Sequence, residues 1–164
     1  MYSQLHRPLK RLLLLTGLLA AGASLGDSTT NAPGSACVAT GSANLTVRDD
    51  GEAENRTAAV VTAICPAERP VVTGTTTLLS GRVFVVDQST TGSVCCRVAS
   101  KNPGGTKITG AWQCSTGSSS SYQILDLAQL TDTYTFSSFY IECQLPALSG
   151  GLASRLQMYR AVQQ

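Results

Sequence analysis

Six cysteines are the side chains in this sequence that are best suited to chemistry. Cysteine can bind a metal, act as a nucleophile or form a disulfide. No Cys-x-x-Cys motif is present and the one histidine, His6, lies near the amino terminus, so the spacing does not fit a zinc site. An even number of cysteines is typical of disulfides in an exported protein. We therefore expect no metal and three disulfides among Cys37, Cys65, Cys95, Cys96, Cys114 and Cys143.

The amino terminus indicates export. Basic residues precede the apolar run LLLLTGLLAAGA, which is shorter than the about 20 residues that span a bilayer, and small residues follow. This pattern predicts a secretory signal peptide over 1–23, cleaved after Ala23 or, as a second choice, after Gly26. We expect 24–36 to be a flexible leader and 37–164 to be the folded domain. The mature protein is then secreted, extracellular or periplasmic, with no transmembrane segment.

Removal of the signal peptide changes the charge. Three of the 12 Lys and Arg residues leave with it, so that nine remain against ten Asp and Glu residues. A chain with this balance has no basic field to attract nucleic acid. His6 leaves as well, which excludes Ser-His-Asp and Cys-His catalysis and His-containing metal sites. The sequence indicates no cofactor.

Carboxylates are the remaining candidates for catalysis. A glycosidase-type hydrolase needs two acids that face each other across a cleft, about 5–10 Å apart. Asp87, Asp126 and Glu142 are the only acids within predicted strands or at their ends. No pair among them stands out, so we expect a protein that is not an enzyme.

Three polar motifs are interpreted as surface features. DDGEAEN, Asp49–Asn55, has four carboxylates, but its spacing differs from that of a calcium loop, and we expect a solvated turn. Asn44 and Asn55 each begin an Asn-x-Thr glycosylation sequon. The serines of Ser118–Ser121 are expected to form a loop between strands.

The order of apolar segments and turns predicts an all-β fold. About eight or nine short segments, rich in Thr, Ser and β-branched residues, are separated by turn signals at intervals of roughly 8–15 residues. This arrangement is typical of a sandwich or barrel, and we expect a single disulfide-bonded antiparallel β-sandwich. Tyr122–Leu130 is ambiguous, because its apolar positions also suit a short helix.

The adjacent cysteines Cys95 and Cys96 need different partners, because neighbouring side chains of a strand point to opposite faces. The turn Asn102–Gly105 predicts a hairpin, and a two-residue loop formed by its glycines would place Cys95 opposite Cys114. A shift of one residue would pair Cys96 with Cys114 instead, and a Cys95–Cys96 bridge would need a strained ring. The apolar neighbours of Cys96 indicate that it faces the core and that Cys95 faces outward.

Trp112 is the candidate for stacking against a ligand. With Cys95 opposite Cys114, Trp112 lies on the outer face and is partly exposed, unless a bulge resets the register. Exposed aromatic rings on a sandwich suit the binding of sugars. The other members of such a platform would come from Tyr122, Tyr134, Phe136, Phe139, Tyr140 and Tyr159.

Four segments resemble a family of small secreted bacterial proteins of unassigned function. They are VVTAICP (Val60–Pro66), VFVVDQSTTGSVCCRV (Val83–Val98), YIECQLP (Tyr140–Pro146) and LQMYRAV. The resemblance runs from about Cys37 to Val162, and it implies a single β-sandwich behind a signal peptide. It implies no catalytic or ligand-binding residue.

The same resemblance bears on the disulfides. The cysteines that match the family imply the pairs Cys37–Cys65 and Cys96–Cys143. Cys95 and Cys114 look like an added pair, which agrees with a bridge between them across the hairpin.

We therefore expect a secreted, non-enzymatic structural or interaction module whose partner is a protein or a cell-surface glycan. The alternative is a carbohydrate-binding module that uses exposed aromatic residues, Trp112 among them. A carboxylate-based hydrolase is the third hypothesis.

Reduction of the disulfides is expected to destabilise the protein. A loop of about 18 residues closed by Cys95–Cys114 contributes roughly 3 kcal/mol in the chain-entropy account. Urea unfolding with and without a thiol reductant measures this loss, and non-reducing peptide mapping of the exported protein checks its premise. Free thiols in that map would contradict the prediction.

Overall fold

The computed structural model describes residues 28–68 and 77–164, and these residues form two antiparallel β-sheets packed face to face. The predicted signal peptide, 1–23, and its cleavage sites lie outside the described residues. Among the residues described, no helix is long and apolar enough to cross a membrane. The all-β sandwich with disulfides that the sequence predicts is confirmed.

The strands follow one another with a single turn of 3₁₀ helix, Gly34–Ala36, after the first. They are β1 (Ser28–Pro33), β2 (Val38–Ala39), β3 (Thr46–Val47), β4 (Ala53–Glu54), β5 (Val61–Pro66), β6 (Thr77–Val86), β7 (Cys95–Lys101), β8 (Lys107–Thr109), β9 (Gln113–Cys114), β10 (Tyr122–Asp132), β11 (Ser138–Leu145) and β12 (Arg155–Gln163).

The first sheet has the strand order β10-β6-β12-β4-β3, and β1 also pairs with β12. The second sheet has the order β2-β5-β11-β7-β8, and β9 pairs with β7. Burial alternates along the long strands, so that every second side chain enters the space between the sheets. Val85, Leu125 and Leu156 of the first sheet meet Val98 and Ile141 of the second in one apolar core.

The flexible leader expected over 24–36 is wrong from residue 28 onward. Ser28–Pro33 forms β1, which pairs with β12 along its whole length, from Ser28 opposite Gln163 to Pro33 opposite Met158. A polar segment can form such an edge strand, because one of its sides bonds to the sheet and the other stays in water. Pro33 is tolerated because it is the last residue of that strand.

Three disulfides are bonded to strands of the second sheet, with Cα atoms 4.0–4.1 Å apart. Two of them link residues that oppose each other in antiparallel register, and the third joins Cys65 of β5 to Cys37, the residue before β2. They are the three pairs expected above, namely Cys37–Cys65, Cys95–Cys114 and Cys96–Cys143. Cys96 is buried in the core and Cys95 lies on the outer face, as the pattern of β7 predicts.

The register of the β7–β8–β9 hairpin changes along its length. Next to the turn, Lys101 opposes Lys107, whereas a two-residue glycine loop would have placed Lys101 opposite Ile108. Between the pairs Ala99–Thr109 and Cys96–Gln113, the returning chain has one extra residue. This bulge restores the register that brings Cys95 opposite Cys114. The predicted pair is therefore right, although the predicted turn is not.

The ambiguous segment Tyr122–Leu130 belongs to strand β10. Leu125 and Leu127 are buried while Tyr122, Ile124 and Asp126 are exposed, which is the period of a strand. Pairing with β6 is irregular between Leu127 and Leu130. The serine-rich segment before β10 lies in the connection from β9, as expected.

The acidic segment Asp49–Asn55 is less solvated than the sequence analysis predicts. Glu54 is almost fully buried and contacts the guanidinium groups of Arg48 and Arg56. Glu52 contacts Arg155 at 2.9 Å between Oε2 and Nε. Arg48 and Arg56, which follow β3 and β4, and Arg155 of β12 thus neutralise these carboxylates.

Asn55 also differs from the expected surface sequon, because its side chain is fully buried. Its Nδ2 group donates to the carbonyl oxygens of Ala59 at 2.8 Å, Leu145 at 3.1 Å and Pro146 at 2.9 Å. Its Oδ1 accepts a hydrogen bond from the backbone N–H of Thr57 at 2.9 Å. The side chain ties the β4–β5 turn to the end of β11.

Replacement of Asn55 by Ala is expected to lower the free energy of unfolding by about 3 kcal/mol, because buried carbonyl groups lose their donor. The matched control is Asn44→Ala, in the other sequon, where Asn44 is exposed. This substitution should change stability by less than about 0.5 kcal/mol. Urea unfolding of both variants measures the difference. Equal effects of the two substitutions would show that Asn55 has no special structural role.

Candidate functional site

The outer face of the second sheet carries a group of aromatic and ionised side chains. Its members are defined here as the aromatic–ionic patch: Arg97, Lys107, Trp112, Tyr140 and Glu142. They come from β7, β8, β11 and the bulge between β8 and β9. The alternation that sends Cys96, Val98 and Ile141 into the core sends these side chains outward.

Strand register places the central ion pair. Arg97 and Glu142 oppose each other across β7 and β11, so their side chains share one face. Arg97 Nε donates to Glu142 Oε2 at 2.8 Å, and Arg97 Nη1 donates to Thr109 Oγ1 at 3.2 Å. A guanidinium group carries five N–H donors, so these two contacts leave further donors for a ligand.

Lys107 completes the ion cluster from the far end of the hairpin. Its Nζ donates to both carboxylate oxygens of Glu142, at 3.0 and 2.9 Å. To reach Glu142, the lysine side chain passes over the row in which Tyr140 opposes Ala99. The outward-facing Ala99 is accordingly fully buried, and Lys107 Nζ lies 5.7 Å from the centroid of the Tyr140 ring.

Glu142 is ionised in this environment. Partial burial acts to raise the pKa of its carboxyl group, but hydrogen bonds and attraction from Lys107 and Arg97 outweigh that effect. The net result is a pKa below the usual value for glutamate. Because both oxygens already accept from cations, Glu142 mainly fixes the positions of Arg97 and Lys107.

Trp112 lies in the bulge and is half-buried. The Cζ atom of Arg97 is 4.2 Å from the centroid of its ring, which is the distance of a cation–π contact. The neighbouring exposed disulfide Cys95–Cys114 fixes the chain two residues further on. Trp112 is therefore on the outer face and partly exposed, and a bulge is present as well, so both of the alternatives that the sequence left open occur.

The aromatic residues proposed for a sugar-binding platform do not lie on one face, because the fold places some in the core and others on different outer faces. Phe139 and Tyr159 lie in the core, where Tyr159 Oη donates to the carbonyl of Pro66 at 2.5 Å and links the two sheets. Tyr122, 59% exposed, lies on the outer face of the first sheet, with its ring 6.1 Å from that of Phe84. Among the aromatic residues of the strands, Tyr140 is the one that shares a face with Trp112.

The three candidate catalytic acids are not brought together. Asp126 lies on the outer face of the first sheet, paired with Arg82, and Glu142 lies on the outer face of the second. Asp87 is buried, and its carboxylate accepts hydrogen bonds from the backbone N–H of Ser89 and the hydroxyl of Ser154. Ser115 and the backbone N–H of Val94 also bond to it, so Asp87 joins several loops.

Sequence reasoning missed Arg97 and Lys107 as site residues. Their alternation with apolar residues along β7 and β8 could have identified the outward face. Their convergence on Glu142 depends on the shifted register of the hairpin, which the predicted two-residue loop excluded.

Comparison with known proteins shows similarity of fold only. No family model and no curated protein matches the chain. A structure of infectious bursal disease virus, Gx strain, is similar over 84% of this chain and 32% of its own, at 12% identity and a TM-score of 0.51. The Clostridium thermocellum xylanase 10B CBM22-1–GH10 modules, complexed with xylohexaose, are similar over 84% of this chain and 28% of theirs, at 11% identity and a TM-score of 0.50. The chain thus spans about a third of the length of either structure.

Replacement of Glu142 by Gln is expected to reduce the dependence of stability on acid pH. Since the folded pKa is lowered, the stabilisation from ionised Glu142 is present above the unfolded pKa of about 4.3 and is lost as the pH falls through the folded value. The variant should be less stable at pH 7, by about 1 kcal/mol, and should lose less on acidification. Urea unfolding between about pH 3 and pH 7 tests this. Parallel curves for both proteins would contradict it.

Proposed function

We propose that this protein is an extracellular glycan-binding module that uses the aromatic–ionic patch as its binding surface. The observation that carries the proposal is the partly exposed Trp112 ring held against the Arg97–Glu142 pair on an outer sheet face. An aromatic ring offers an apolar surface to the C–H groups of a sugar, and adjacent charged groups bond to its hydroxyls. Sugar hydroxyls both donate and accept, so they suit a surface with cations and a carboxylate.

Preorganisation supports this role. Both cations are held by Glu142, and the hairpin that carries Trp112 is closed by Cys95–Cys114. A ligand would meet side chains whose positions are already fixed, which reduces the entropy lost on binding. The patch lies on the outer face of a sheet, which suits a chain-like ligand better than a small molecule enclosed on all sides.

A binding role is proposed in preference to a catalytic one. Two-carboxylate hydrolysis needs acids on the same cleft, whereas Asp126 and Glu142 lie on opposite outer faces and Asp87 is engaged by four donors in the interior. The three disulfides are consistent with an extracellular location, as the predicted signal peptide requires. We also retain, as a proposal, the kinship with small secreted bacterial β-sandwich proteins.

A protein-binding role without a glycan ligand is the second candidate, and the first sheet favours it. Across its outer face, Pro33, Met158, Phe84 and Ile124 oppose one another in a single row over four strands. Ile124 and Met158 are 44% and 38% exposed. Contiguous exposed apolar side chains are typical of protein-interaction surfaces. The two candidates therefore use different faces, and substitutions can distinguish them.

Replacement of Trp112 by Ala is expected to abolish glycan binding, because the stacking surface is lost, while Trp112→Phe should retain part of it. The matched control is Tyr122→Ala, which removes an exposed aromatic ring from the opposite face and should leave binding unchanged. Binding of the labelled proteins to a broad array of plant, fungal and bacterial polysaccharides, with affinities from calorimetry, measures the effect. Loss of binding in the Tyr122 variant alone would place the site on the first sheet, and absence of binding by the wild type would reject the proposal.

A further inference from the structure

The charges on the two sheets point to the class of glycan, an inference that rests on the proposed function. We propose that the ligand is an acidic oligosaccharide or polysaccharide, whose carboxylate or sulfate group lies beside Lys101 while a neutral sugar ring stacks on Trp112. The proposal follows from an excess of positive charge that is confined to the sheet carrying the aromatic–ionic patch.

The strands of the second sheet contain four ionised side chains, and all four face outward. Three are cations, Arg97, Lys101 and Lys107, and Glu142 is the one carboxylate among them. The strands of the first sheet are balanced, with three arginines and three acids: Arg82, Arg155, Arg160, Glu54, Asp126 and Asp132. The expected mature chain has slightly more acids than bases, so the positive excess of the second sheet is local. An anionic ligand is attracted to this face in preference to the other.

The two lysines of the second sheet differ in whether they have an ion-pair partner among the described residues. Lys101 and Lys107 oppose each other across β7 and β8, but the side chain of Lys107 extends to the carboxylate of Glu142, in the row of Arg97. Glu142 neutralises Lys107, whereas Lys101 is exposed and has no ion-pair partner among residues 28–68 and 77–164. These are also the two lysines that remain after the predicted signal peptide. An anion bound at Lys101 would supply the partner that this cation lacks among the described residues.

The distance between Trp112 and Lys101 along the sheet sets the minimum length of the ligand. Arg97, which lies against Trp112, and Lys101 are four residues apart on β7, which corresponds to about 13 Å along the strand. A single sugar stacked on Trp112 does not reach Lys101. The acidic group must therefore belong to another sugar of the same chain, with Tyr140 and Ala99 in the row between.

Matched polymers that differ in charge test this inference. We would measure affinities of the full mature protein for polygalacturonate and its methyl ester, and for dextran sulfate and dextran, at low and high salt. The charged member of at least one pair should bind roughly tenfold more tightly, and this preference should decrease as salt is raised. A preference for polygalacturonate over its methyl ester would indicate that the protein recognises a carboxylate. A preference for dextran sulfate over dextran would indicate that it recognises a sulfate.

Lys101→Gln should remove the preference for charge while leaving the affinity for the uncharged polymer unchanged. Lys101 has an exposed side chain with no ion-pair partner among the described residues, so this variant should fold normally, which thermal unfolding verifies. The matched control is Arg160→Gln, which removes an exposed cation from the opposite face, where Arg160 Nε donates to Asn31 Oδ1 at 2.8 Å. The control should keep the wild-type preference.

The outcomes separate this inference from the proposed function. Equal affinity for charged and uncharged polymers, lost in Trp112→Ala, would overturn the acidic ligand and leave glycan binding intact. Equal losses in Lys101→Gln and Arg160→Gln would also overturn it, because they would show attraction by net charge alone. If none of the four polymers binds, the acidic ligand is rejected, and the polysaccharide array decides the proposed function by itself.

Discussion

The anchoring of strand β7 through two adjacent cysteines is the constraint on which the rest of the second sheet depends. Cys96 points into the core and bonds to Cys143 of β11, while Cys95 points outward and bonds to Cys114 of β9. A strand held covalently on both sides cannot slip by one residue, because a slip would exchange its two faces. With Val98 fixed inward, the next residue toward the cysteines, Arg97, is fixed outward. The ion cluster and the position of Trp112 follow from that single assignment.

The same constraint gives the patch its rigidity. Both cations lower the pKa of the partly buried Glu142 carboxyl group, and they come from β7 and from β8, which pairs with β7. Removing one partner of such a cluster leaves an uncompensated charge, so the three side chains act as a unit. All three disulfides are bonded to strands of this sheet, whereas hydrogen bonds such as that from Tyr159 to Pro66 connect it to the other.

Periodicity and cysteine spacing were sufficient to predict the fold class, the facing of Cys95 and Cys96, and the bridge across the hairpin, since these depend on local pattern. The remaining features depend on contacts between distant segments. Ser28–Pro33 was expected to be flexible because its residues are polar, yet the open edge of β12 gives it partners. Asn55 looks like a surface sequon, yet the end of β11 supplies two of its acceptors, 90 and 91 residues away. For Lys107, a shifted turn register decided which residues it could reach.

The contrast between the two outer faces shows why the second sheet is the better candidate for recognising a polar ligand. On the first, Arg82 is matched by Asp126 and Arg160 by Asn31, and an apolar row lies beside them. These polar side chains satisfy one another, so a polar ligand would have to displace existing contacts to bind there. On the second, Lys101 lacks a carboxylate partner among the described residues, and Arg97 retains N–H donors next to a partly exposed indole ring. Unused donors beside an aromatic surface are groups that a ligand can satisfy without such a cost, and they occur where the backbone is most strongly fixed.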